Sequence, residues 1–329
     1  MKFSLRFNND MSAARFARVA ALAEENGFDQ IWVSNDLFGQ SAAVLLAEAA
    51  RTTQRISIGA GVFNPVSMHV AEIAMVAASL HELTHGRFKL GIGAGADRFL
   101  AWAGLQTPPP VVRTREALLA LRDLLRGDAP AGWAHEGRLM CGPVEVPLYV
   151  GAMGPRMLEL AGELADGALP LLFPPEQFER ARRSIVAGAR RAGRDVADLD
   201  IAACVWCSIH ADSAAARRAM AWKIAYYGPS FSSDLLERAS LSRADFAEIE
   251  TALSAGQGGR AAELVTREML DLGIVGTASD LTARCAGLIT AGARHISFGP
   301  PLGPDIDQAV KTLGREVIPE LRRLAAGIA

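Results

Sequence analysis

The sequence predicts an α/β fold, a (β/α)8 barrel with insertions, and three observations carry the prediction. The hydrophobic period switches between two and 3.6 every roughly 10–15 residues, which marks repeated βα units around a parallel sheet. Strand-like segments fall near residues 3, 29, 56, 87, 147, 166, 200 and 294, with helical stretches between them. No linker divides the 329 residues, so the units read as one domain over 1–329, with insertions near 104–146 and 229–259. Such alternation along the whole chain favours a closed barrel over an open doubly wound sheet, and it places a site at the C-terminal strand ends.

Each element has a local reason. Phe3–Phe7 alternates as a strand, and Ser12–Asn26 is an amphipathic helix closed by Gly27 as a left-handed cap. Asp29–Ser34 is the second strand and Ser41–Thr53 its helix; Ile56–Val62 ("ISIGAGV") is the third, followed by His69–Thr84 and a stop at Gly86. Arg87–Ile92 is the fourth strand. Residues 104–146 then break the rhythm: "QTPPPVV" precedes a helix over Arg115–Arg126, and "GDAPAGWAHEGRLMCGPVEV" reads as an inserted loop or hairpin. The units resume with "PLYVGAM" and the helix Pro155–Ala165, then the strands "DGALPLLF" and "DIAACVWCSI". Residues 229–259 are irregular and helical, and "DLLERASLSRADFAEIE" within them reads as a lid over the site. "ARHISFGP" is the last strand, before a C-terminal helix.

Half of the residues are apolar and 21% charged, and the formal net charge is −2, which points to neither nucleic acid nor an anionic membrane. No apolar run reaches the roughly 18 residues of a span, and "MKFSLRFNND" has no signal-peptide core, so the expected compartment is the cytoplasm. Four cysteines in a chain this long make no disulfide framework.

Three motifs invite misreading. Gly91-Ile92-Gly93-Ala94-Gly95-Ala96 matches the dinucleotide pattern G-x-G-x-x-A, but only about two helical turns fit before the prolines at 108–110. No ribose-binding acid follows about 20 positions on, and the unit is fourth in the series rather than first. His81-Glu82-Leu83-Thr84-His85 matches H-E-x-x-H, yet Gly86 should end the helix there and the helix end lies on the bottom face, so no metal is expected. Cys204 and Cys207 form a C-x-x-C inside a strand rather than at a helix start, so they read as buried, inert thiols.

The upper strand ends therefore carry the expected chemistry. They present Asn8; Asn35 and Asp36; Gly61 to Pro65; Gly93 to Asp97; Gly151 to Pro155; and "FGPPLGPD". Glycine there lets a flat or phosphorylated ligand approach the backbone. Gly154-Pro155 opens a helix whose free N–H groups suit an anion, although an ordinary βα turn has the same spacing. Asp36 and Asp97 are the candidate acids at these ends, and no nucleophilic triad or metal cluster is present, which suits chemistry carried by an organic cofactor.

The segments "GFDQIWVSNDLFG", "ISIGAGVFNPVSMHVAEIA", "ELTHGRFKLGIGAG", "VPLYVGAMGPRMLELAGELADGAL" and "GPPLGPD…LGREVIPEL", in this order and spacing, resemble the bacterial luciferase-like superfamily of flavin and deazaflavin enzymes. The resemblance is closest to the branch containing methylenetetrahydromethanopterin reductase and covers nearly the whole chain. It implies an oxidoreductase barrel binding coenzyme F420 (an 8-hydroxy-5-deazaflavin) or, in sister branches, FMN. It further implies a non-prolyl cis peptide at Gly61–Val62 backing the ring, and a phosphate loop at Ala152, Met153 and Gly154. Asn35, Asn64, Gly93 and Gly95 line the ring or substrate side on the same basis, and Asp97 stands at the rim. Two departures stand out: Asn35-Asp36 replaces the family's frequent Asp-His, and Asn64-Pro65-Val66-Ser67-Met68-His69 replaces Asn-Pro-Tyr-Thr-Arg-His. A pterin reductase is therefore not the expected activity.

The expected reaction is hydride transfer between the deazaflavin C5 and an unidentified small organic substrate. Asp36 is the first candidate for proton relay, Asp97 the second and His69 the third. The alternatives are an FMN-dependent monooxygenase supplied with reduced flavin by a partner reductase, and a non-catalytic flavin-binding barrel. A homodimer, common in the family, is also expected.

Overall fold

The computed structural model describes residues 1–328. The chain divides into two compact units. The first comprises Lys2–Pro170 and Arg180–Ala202. Its strands are β1 (Lys2–Phe7), β2 (Gln30–Val33), β3 (Ser57–Phe63), β4 (Phe88–Ile92), β5 (Leu148–Ala152) and β6 (Gly167–Pro170), each pairing in parallel with the next. β7 (Asp200–Ile209) begins in this unit, where Asp200 and Ile201 pair with Gly167 and Ala168.

The outer helices form for reasons written in the chain. Ser12 caps helix 13–25 by accepting from Arg15 N–H, and Phe16, Val19, Ala20 and Ala23 make its buried stripe. All four residues of β2 are buried, as a strand covered on both faces requires. Large residues inside the sheet lie over glycines of the next strand: a Cβ on Gly59 would overlap the Trp32 ring, and one on Gly167 the Tyr149 ring.

A polar cluster lies between β1, β2, β5 and β7. Asp200 Oδ2 accepts from Tyr149 Oη at 2.9 Å, Lys2 Nζ at 3.0 Å and Gln30 Nε2 at 3.2 Å. Gln30 Oε1 in turn accepts from Trp32 Nε1 at 3.0 Å. Burial, then the negative charge of Asp200, pushes the Tyr149 phenol far up, so it remains a donor. Burial pulls the Lys89 ammonium down, with Asp200 opposing.

The second unit holds residues 171–179 and those from Ala203 onward. There β7 continues, flanked by β8 (Ile274–Gly276) and β9 (His295–Leu302). The strand order makes this the parallel (β/α)8 barrel that the alternation predicts. β8 is an addition to the expected strands, and its three residues are too few to show a period.

The insertions differ in detail from their expectation. The helix expected from Arg115 starts at Pro110, because proline is suited to the first helical position. Residues 127–146 contain no strand. The second insertion is helical, as expected: it holds helices 233–238 and 247–254, and helices 258–263 and 267–270 follow it. Leu236 and Phe246 are 1% and 2% exposed within a cluster that includes Phe173, Trp206 and Ile224. Fully burying side chains of this size stabilises by about 1.5–3 kcal/mol each, which makes the insertion a fixed wall.

Candidate active site

The candidate proton-relay and cofactor residues lie in the first unit, and the strand end "FGPPLGPD" lies in the second. β3 carries the central feature. Its register against β4 breaks between Ala60 and Phe63, and the Gly61–Val62 peptide is cis, as the family resemblance implies. Val62 is half-buried and sits in a cup of glycines. Added Cβ atoms would lie 3.3 Å from Val62 Cγ1 at Gly91, 3.2 Å from Cγ2 at Gly93 and 2.9 Å from Cγ1 at Gly151. Gly91, Gly93 and Gly151 thus make room first for the protein's own bulge, including Ala60 O, which a Cβ at Gly91 would overlap, and Val62 stays partly exposed among them.

Asn64, 7% exposed, ties two strand ends together. Its Nδ2 donates to Ala94 O at 2.6 Å and its Oδ1 accepts from Val66 N at 2.8 Å. Gly95 takes φ +66°, and a Cβ there would lie 3.0 Å from Asn64 Nδ2, so the loop after β4 closes onto Asn64 only with glycine.

Asp36 is half-buried, and its carboxylate accepts from Ser34 Oγ at 3.0 Å. Its backbone is held by Asn9: Asn9 Nδ2 donates to Asp36 O at 2.8 Å and to Gln40 O at 2.7 Å, and Asn9 Oδ1 accepts from Asp36 N at 3.2 Å. Asn9, 3% exposed, was not anticipated; a buried asparagine next to the named Asn8 was the available sign. Asn35 is turned to structure: its Oδ1 accepts from Ala42 N at 3.0 Å, at the start of helix 42–52.

Asp97 is exposed as the first residue of helix 97–102, where a negative charge suits the helix dipole. His69 is exposed as N-cap of helix 70–83; its Nδ1 accepts from Ala71 N at 3.2 Å, and its ring stacks on Trp133 of the first insertion at 5.6 Å. Asp36 is oriented by Ser34 and Asn9, His69 by its own helix start and Trp133, and Asp97 stands at the start of helix 97–102, so the three proton-relay candidates sit in separate surroundings.

After β5, Ala152 is buried while Met153 and Gly154 are exposed. Gly154 is the N-cap of helix 155–164, and no side chain caps it. A Cβ on Gly154 would meet nothing within 4 Å. Open space over uncapped N–H groups is the arrangement an anion needs. The exposed Arg156 follows in the first turn and adds positive charge.

The misleading motifs resolve as their contexts suggest. Helix 97–102 has six residues, short for a dinucleotide helix. His81 lies in the last turn of helix 70–83, while His85 is beyond its end at φ +52°, so the two do not share a helical face. Cys204 and Cys207 are buried in β7 and are not joined in a disulfide. Among the described residues no helix is long and apolar enough to cross a membrane.

Comparison with known proteins gives the chain its family. The model of the luciferase-like monooxygenase family matches residues 4–295. A 5,10-methylenetetrahydromethanopterin reductase of Methanolobus tindarius is 34% identical over 325 residues, 97% of this chain and 100% of the relative. An F420-dependent glucose-6-phosphate dehydrogenase of Microbacterium testaceum is 28% identical over 352 residues, 98% of this chain and 99% of the relative. The solved coenzyme F420-dependent tetrahydromethanopterin reductase of Methanopyrus kandleri superposes with a TM-score of 0.88 at 28% identity, covering 97% of this chain and 99% of that one. A barrel with the bulged third strand, matched along this length, belongs to the luciferase-like monooxygenase family.

Proposed function

We propose that the chain is an F420-dependent oxidoreductase acting on a small organic substrate. The observation that carries the reading is the pairing of a half-exposed Val62 bed on β3 with an uncapped, unobstructed helix start at Gly154, both in one unit. The first suits a planar ring and the second a phosphate, and the F420-dependent relatives support the choice of cofactor. When bound, F420 supplies hydride transfer at C5 of its deazaflavin ring.

The chain's own residues do the rest. Gly61 and Val62 support one face of the ring, and Asn64 holds the loop of Gly93 and Gly95 beside it. The N–H groups after Ala152, Met153 and Gly154 hold the phosphate. Asp36, oriented by Ser34 and Asn9, holds or moves the proton that accompanies hydride transfer, with Asp97 and His69 next in order. The substrate's reacting carbon is electrophilic in the direction of reduction. Val66, Ser67 and Met68 stand where the family often carries Tyr, Thr and Arg, which supports a substrate other than methanopterin. Exposed Val44, Met75 and Leu119 on outer helices support a homodimer, checked by sedimentation equilibrium.

The family's monooxygenase members favour a second reading, an FMN enzyme fed by a partner reductase. Fluorescence titration of the cofactor-free protein with F420 and with FMN separates the two. Saturable F420 binding with weaker FMN binding is expected. Tight FMN binding with oxygen-dependent turnover refutes the first reading.

A further inference from the structure

Trp32 packs against the strand that carries the Val62 bed. Cβ atoms built on Gly59 would overlap its ring, and one on Gly61 would lie 3.5 Å from its Cε3. The indole is 0% exposed and meets Tyr149 edge-on at 5.0 Å between centroids. Glycines at 59 and 61 give the ring room but no side chain to grip it. Its one polar atom is therefore the natural fixing point: Nε1 donates to Gln30 Oε1 at 3.0 Å. Gln30, 3% exposed, passes the constraint on, since its Nε2 donates to Asp200 Oδ2 at 3.2 Å. Asp200 is in turn fixed by Tyr149 Oη at 2.9 Å and Lys2 Nζ at 3.0 Å. None of these groups is at the proposed cofactor seat, and a buried amide is retained where an apolar side chain would fill the space at lower desolvation cost.

We propose that Trp32 is a positioning residue: through Gln30 and Asp200 it sets the height and tilt of the Gly61–Val62 bed, and so the affinity for F420. The inference rests on the reading of that bed as the F420 seat. Outer groups that orient a first layer commonly change binding by about 10-fold or more when removed.

The test is F420 titration of the purified full-length chain, followed by fluorescence, with thermal melting of each variant in parallel. Trp32→Phe keeps an aromatic ring and removes the N–H; it is expected to weaken F420 binding about 10-fold. Gln30→Glu sets two carboxylates face to face, and Asp200→Asn removes the acceptor charge; each is expected to weaken binding by a similar factor. The double variant Gln30→Glu/Asp200→Asn restores the donor–acceptor pair between positions 30 and 200 with places exchanged while giving up the Lys2 bond to Asp200 Oδ2, and its Kd is expected to lie closer to wild type than that of either single variant. A folded Trp32→Phe that binds F420 like wild type overturns the proposal, whether or not the other singles fold. So does a double variant that melts like wild type without recovering affinity. A wild-type chain that takes up no F420 refutes the cofactor reading, and this proposal with it, before any variant is made.

Discussion

A methyl group added at Gly151 tests the glycine cup directly. It would lie 2.9 Å from Val62 Cγ1, whereas carbon atoms pack at about 3.5–4.0 Å, so Val62 has to withdraw by roughly 0.6–1.1 Å. Rotation does not provide this. Valine is stiff about χ1, so the methyl group that faces Gly151 does not turn away freely. The β3 backbone must move instead. Overpacking of this kind costs about 1–3 kcal/mol. At about 2–4 °C per kcal/mol, Gly151→Ala should lower Tm by roughly 4–8 °C in mid-range. Circular dichroism melting measures it, and F420 titration on the same samples reports the displaced bed. Adding Val62→Ala should recover most of the lost Tm, because it removes the clashing methyl. Gly154→Ala is the contrast: with nothing within 4 Å its Tm should hold, while F420 binding weakens as the methyl enters the approach to the helix start. A Gly151→Ala protein that melts with wild type, or a Val62→Ala addition that deepens the loss, refutes the cup.

Three further outcomes follow from the same geometry. Asp36→Asn should lower turnover about 100-fold or more and remove one limb of the pH–rate profile, while F420 affinity stays near wild type; unchanged turnover across pH assigns the proton elsewhere. Burial acts to raise the Glu24 carboxyl, but hydrogen bonds from the Ile56, Arg55 and Gln54 amides outweigh it and hold the group below its ordinary value of 4.5. A depressed folded pKa stabilises fully above the unfolded value and is lost as pH falls through the folded one, so Glu24→Gln should lower Tm at neutral pH, with the gap closing below about pH 4.5. Equal melting at both pH values would show that these amide bonds contribute nothing. Phe246→Ala should cost about 3–5 kcal/mol and expose the second insertion to limited proteolysis, and an unchanged digest would mean the wall is not held by its core.

What was legible in the sequence was what repeats. Eight strands and their helices announced themselves because each covers a full period or more, and caps such as Ser12 and Gly27 carry their own chemistry. β8 did not, being three residues long. The strand ends were readable as the place of the site, since topology alone puts them there. Partners within it were not. Asn9 and Asp36 are 27 residues apart, and Gln30 and Asp200 170 apart, so nothing local joins them. The glycines after β3 and β4 were readable as a demand for space; which atoms fill that space depends on the direction of Val62, which only the bulge decides.

The pairing of bulky side chains with facing glycines has a consequence for how this protein can change. Trp32 lies over Gly59, Tyr149 over Gly167 and Phe246 over Gly228. In each pair one partner occupies the volume the other has given up. A replacement at one position alone either collides or leaves a void, and both cost stability. Drift at these places is therefore correlated: a larger residue at 59 has to be accompanied by a smaller one at 32, and such positions are inherited as matched pairs.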